Sequence, residues 1–200
     1  MARDRKEAVN SYVTDMLALE EHIEKAIKGQ IQDLKDDPEF VREIQAIHRT
    51  VEHHIADLKG VVDRRNAGGP ADVIKKVGST VAGIAAGAID LVRSEGVPKN
   101  LRDDYAAFSL ATISYVMLYT SALALGEREV SELARQHFMD YAQVVTRLNQ
   151  VVPESVVRLL QREGLGAPEA VLSEVNRTVE EAWNRTDASR TTQPSATPVL

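Results

Sequence analysis

Apolar residues recur every three or four positions along most of the chain, and the clusters of glycine and proline fall between the periodic runs. A repeat of that length places apolar side chains on one face of an α-helix, whereas a half-buried strand would need alternation. The clearest run is Val41, Ile44, Ile47, Val51, Ile55, Leu58 and Val62, a stripe over about six helical turns. Stripes of this kind hold only when buried against one another, so the chain is read as all-α. With 200 residues and 44% hydrophobic content it can build one core without disulfides or a structural metal.

Helix 1 is expected over residues 6–35, ending at Asp36, Asp37 and Pro38, where Asp37 can cap helix 2 with Pro38 in its first turn. Helix 2 then runs to Arg65. A loop through Gly68, Gly69 and Pro70 leads into a connector helix, Ala71 to Arg93, rich in Ala, Gly and Val. After Gly96 and Pro98 a third long helix carries Phe108, Ala111, Tyr115, Leu118, Ala122 and Leu125, and Gly126 closes it. The fourth carries Val130, Leu133, His137, Tyr141, Val144 and Leu148 and is expected to stop before Pro153. A short helix over 154–163, a turn from Gly164 to Pro168 and a last helix to Asn184 follow. The division is a helical bundle over 1–152, a C-terminal helical extension over 153–185, and a tail over 186–200 whose Ser, Thr, Pro and Gln content reads as disordered. Two hairpins with short turns, joined by a long crossover, make the connectivity of a ferritin-like four-helix bundle; an up-down bundle with an added helix is the alternative.

The composition narrows the function classes. A net charge of −6 argues against nucleic acid as a partner, and the absence of cysteine removes thiol catalysis, thiolate metal sites and disulfides together. The charged start, Arg3 to Lys6, leads into a polar helix rather than an apolar signal core, which points to a cytoplasmic protein. The uncharged run of the connector extends only from Val77 to Ile89, short of the ~20 residues of a transmembrane span. Within it Gly83 and Gly87 lie four apart and permit close helix packing, inside the bundle or at a homo-oligomer seam. No phosphate loop, dinucleotide fingerprint or nucleophile elbow is present, so an enzyme is not the first expectation.

Glu20 breaks the pattern. It shares a helical face with Val13, Met16, Ile23 and Ile27, and an ionised carboxylate buried there needs a hydrogen-bonding, ionic or metal partner. His54 lies between Val51 and Leu58 on helix 2; His137 lies between Leu133 and Tyr141 on helix 4, with Asp140 one turn on. Glu20, His54, His137 and Asp140 can therefore converge. Two readings stay open: a buried hydrogen-bonded network without an ion, or a mononuclear site for iron, manganese or zinc. Tyr115, Tyr119 and Tyr141 are expected to pack in the core with their hydroxyls finding a partner. His22, His48 and His53 are expected at the flanks, and Glu21 is expected to pair with Lys25.

Over residues 10–150 the chain resembles the YciF-like family of ferritin-like stress proteins. The resemblance rests on Tyr12, Asp15, Ala18, Glu20 and Ile23, on Asp37, Pro38 and Glu39, on His54, Ile55 and Leu58, and on Ser114, Tyr115, Leu125, Gly126, Leu133 and Leu148. It implies a di-iron centre held by a glutamate, or a Glu-x-x-His pair, from each long helix, with Glu20 as the helix 1 ligand. At the other ligand positions stand Arg49 to Glu52 on helix 2, Ala111 on helix 3 and Asp140 on helix 4, and no acid occurs between Asp104 and Glu127. The expectation is a cytoplasmic, stress-associated, homo-oligomeric protein that has lost di-iron chemistry and serves as a structural or binding module, its C-terminal segment available to a protein partner. The alternative is a metal-binding or peroxide-consuming protein built on the reduced ligand set.

Overall fold

A computed structural model describes residues 4–33, 38–66 and 96–188. They form α1 (Arg5–Asp33), α2 (Pro38–Asn66), α3 (Val97–Leu125), α4 (Arg128–Arg162) and α5 (Val171–Ala188), with no strand among the described residues. The chain is all-α, as its periodicity requires. The expected connector helix with Gly83 and Gly87, the Asp37 cap and the chain beyond residue 188 lie outside the described residues.

The stripes read from the sequence are the core. Val13, Met16, Ile23 and Ile27 of α1 are buried against Ile44, Val51 and Leu58 of α2, Phe108, Tyr115 and Leu118 of α3, and Tyr141 and Leu148 of α4. Gly126 ends α3 in the left-handed region, φ 75°, and the amides of Gly126 and Glu127 return to the carbonyls of Leu123 and Ala122. A side chain at that φ would be strained, so glycine permits the tight α3–α4 hairpin.

Polar contacts at the two ends fix the direction of the four bundle helices. At one end Arg65, near the close of α2, bonds Asn10 near the start of α1 and reaches Glu127 in the α3–α4 turn at 2.7 Å. At the other end Gln30, late in α1, donates to Asp104, early in α3, at 2.7 Å. Thus α1 runs antiparallel to both α2 and α3. Along the α2–α4 seam Arg64 meets Glu129 at 2.7 Å and Arg147 meets Glu43, so that pair is antiparallel too. Helices α2 and α3 therefore point the same way, so the end of α2 and the start of α3 lie at opposite ends of the bundle.

The sequence reading ends the fourth helix at Pro153, but α4 continues through it to Arg162, so the 152/153 boundary falls inside one helix. Proline forfeits one intrahelical hydrogen bond. Burial of Val151, Ser155 and Val157 on either side holds the helix together, with Arg158 over the Phe40 ring at 5.4 Å. Helix α5 then turns back onto the outer face of α4, where Val179 and Trp183 face Val145 and Asn149 across a shallow groove. Glu21 pairs with Lys59 of α2 at 2.9 Å rather than with Lys25, because the neighbouring antiparallel helix brings that ammonium to it.

Candidate functional site

Each of the four bundle helices delivers one or two polar side chains to the same level of the core. Glu20 comes from α1, His54 from α2, Tyr115 from α3, and His137 and Tyr141 from α4; all are 1% exposed or less. Their local placement follows from helical spacing, since each stands three or four residues from apolar neighbours that must face inward.

Glu20 is the hub. Tyr115 donates its hydroxyl to Oε1 at 2.5 Å, Tyr141 donates to Oε2, and His54 Nδ1 lies 3.3 Å from Oε1. His137 Nδ1 lies 2.9 Å from the Tyr115 oxygen. The two imidazoles stack, with ring centroids 3.7 Å apart and planes 9° from parallel. Their outer nitrogens face surface carboxylates: His54 Nε2 meets Asp140 Oδ2 at 3.3 Å, and His137 Nε2 meets Asp57 Oδ2 at 3.3 Å. Two arms thus run outward from Glu20, one through His54 to Asp140 and one through Tyr115 and His137 to Asp57. Asp140 also borders a groove of about 520 Å³ between α2 and α4, lined by Thr50, His53 and Arg147 among others.

Burial and the Glu20 charge push both phenols, Tyr115 and Tyr141, well above the usual tyrosine range, so they remain O–H donors. Burial and the neighbouring His54 hold His137 down at about 4 against the pull of Asp57, so this imidazole is neutral near pH 7. A neutral imidazole has one N–H and one lone pair. Yet each histidine meets oxygen lone pairs on both sides: His54 lies between two carboxylates, and His137 between Asp57 and a phenol whose proton is already given to Glu20. Protonating both rings would supply the missing hydrogens, but it would stack two cations 3.7 Å apart in a dry core. One added positive charge, a proton on one ring or a metal cation, meets the deficit.

Glu20, His54 and His137 each offer a ligand atom within 4.8 Å of the others. Asp140, the fourth residue expected at the site, sits on the outer nitrogen of His54 instead of beside Glu20. Asp57 escapes sequence reasoning because an acid on an exposed helix flank is commonplace; its one signal is its position a single turn after His54. Tyr119 is half-buried and takes no part in the network. His53 is exposed beside Asp57, while His48 lies between Glu24 at 3.2 Å and Glu52 at 3.6 Å on the α1–α2 seam. His22 is half-buried, with Nε2 unpartnered.

The residues do not fit two irons. Ala111 is fully buried where the resemblance calls for a carboxylate, Arg49 and Glu52 face solvent, and Glu20 is the one acid in the centre. Comparison of the chain with family models, characterised proteins and solved structures gives no match. Fold and site together define an all-α bundle with a buried Glu–His–Tyr centre.

Proposed function

We propose that this chain is a ferritin-like bundle protein in which a mononuclear metal site, Glu20, His54 and His137, stands where a di-iron centre would lie. The parallel course of α2 and α3, with the long connection it demands, supports the ferritin-like assignment. The observation that carries the metal reading is the placement of Asp140 and Asp57. A metal-ligating imidazole characteristically gives its second nitrogen to a carboxylate, which fixes the tautomer and aims the other nitrogen at the ion. With protons on both Nε2 atoms, the two Nδ1 lone pairs face the Glu20 region, where a cation supplies the missing charge. The YciF-like resemblance adds stress association. Exposed Ile113, Met117 and Leu123 on α3 support a homo-oligomer, and exposed Trp183 on α5 supports a protein partner at the C-terminal segment.

A second reading, a metal-free structural module, is favoured by one observation: both Glu20 oxygens already accept hydrogen bonds. Elemental analysis separates the two. Chelator-stripped protein dialysed against iron, manganese or zinc is expected to retain about one equivalent, lost in Glu20→Ala and His54→Ala; retention below about 0.1 equivalent of every metal establishes the metal-free module instead.

A further inference from the structure

We propose that the centre selects a ferric ion, with Tyr115 and Tyr141 binding it as phenolates beside Glu20; this rests on the mononuclear reading above. The two phenol oxygens lie against opposite oxygens of one carboxylate, Tyr115 on Oε1 and Tyr141 on Oε2. The Tyr115 oxygen is also 2.9 Å from His137 Nδ1. An ion that takes the Glu20 lone pairs competes with these hydroxyl protons for them, which leaves both phenol oxygens beside it as available donors.

Charge then selects the ion. One carboxylate and two phenolates carry three negative charges, which a trivalent ion neutralises; a divalent ion balances only one phenolate, so the full donor set matches ferric iron. Asp57 and Asp140 do not alter this balance at the centre, because each faces an imidazole N–H and is partly open to solvent. Carboxylate and phenolate are hard donors and imidazole suits iron, a set that favours a small, highly charged ion over a soft one. Ligation releases one proton from each phenol. Both leave to solvent. The ion enters as ferric iron and no electron is transferred.

The test titrates chelator-stripped full-length protein with ferric nitrilotriacetate and, separately, with zinc. The expected result is about one ferric ion per chain, a phenolate-to-iron charge-transfer band in the visible, and resonance-enhanced tyrosinate ring modes in the Raman spectrum of the wild-type complex. Tyr115→Phe and Tyr141→Phe are each expected to weaken ferric binding by about tenfold or more, as lost site partners do. The double variant should lose the band while zinc binding persists. A band that survives in the double variant comes from other tyrosines and overturns the proposal. So does metal bound at one equivalent with no band and no tyrosinate modes, which leaves the mononuclear reading standing. Failure of both ions to bind overturns that reading and this one together. The Raman measurement needs no variant, so it decides the matter even if a phenylalanine substitution unfolds the chain.

Discussion

Glu20, His54 and His137 are legible in the sequence for one reason: each is a polar side chain at a position whose helical neighbours are apolar, and burial there demands a partner. Tyrosine at such a position raises no such alarm, because its ring satisfies the stripe and the hydroxyl is invisible to periodicity. Asp57 is illegible for the opposite reason. It stands on a solvated flank, and only the approach of α4 from across the core gives it His137 as a neighbour. That arrangement makes Asp57 and Asp140 positioning residues. Asp57→Asn and Asp140→Asn are each expected to weaken zinc or iron binding by about 10- to 100-fold. Asparagine keeps an acceptor oxygen for the imidazole N–H, so stability should shift by no more than about 1.5 kcal/mol, the net scale of one hydrogen bond. Competition against a chelator of known affinity checks the first and urea unfolding the second. Unchanged affinity in both variants would show that the outer acids do not orient the imidazoles.

Among the elements, helix existence was easy to read and helix ends were not. The stripes of α1, α2 and α3 fall on the expected residues because long amphipathic runs offer no other way to bury their apolar face. Pro153 misled because propensity is local, whereas the continuation of α4 is held by tertiary burial of Val151 and Val157. The proline still leaves the Asn149 carbonyl without its intrahelical donor. Pro153→Ala restores that N–H and removes the ring's clash with the preceding turn. It is expected to stabilise the protein by about 1–3 kcal/mol, the scale of proline's penalty inside helices. A urea midpoint that rises with an unchanged slope would bear this out. A midpoint that stays put or falls would mean that the helix has already relaxed around the ring.

At the scale of the molecule, short turns between helices 1 and 2 and between 3 and 4 made the antiparallel pairs legible, and the long stretch of sequence between α2 and α3 leaves room for these two helices to run parallel. The locks at the two ends were not legible, since they pair residues far apart in sequence. One of them makes stability depend on pH. Asp104 is 5% exposed and accepts from Gln30, while its Oδ2 and the Gln30 Oε1 have no partner. Burial raises its pKa from 3.8 to about 7; the Gln30 bond opposes that rise and the Asp103 charge adds to it. In the unfolded chain Asp104 ionises near pH 4, whereas in the folded bundle it holds its proton to about pH 7. The native state therefore binds more protons across that window, and the contribution of Asp104 to stability falls as pH rises through it, then levels off. At about 1.4 kcal/mol per unit, the loss is at most roughly 4 kcal/mol. Other groups titrate in the same range: His137, buried and neutral, destabilises the fold as pH drops from 6.5 toward 4. The difference between Asp104→Asn and wild type removes such shared terms, provided the sites are uncoupled. Asparagine carries no charge to desolvate, so the variant is expected to gain stability relative to wild type by a few kcal/mol between pH 4.5 and pH 8. Urea unfolding of both proteins across that range measures the difference directly. A constant difference would mean that Asp104 is ionised in the folded state throughout, and that the lock between α1 and α3 is a solvated one.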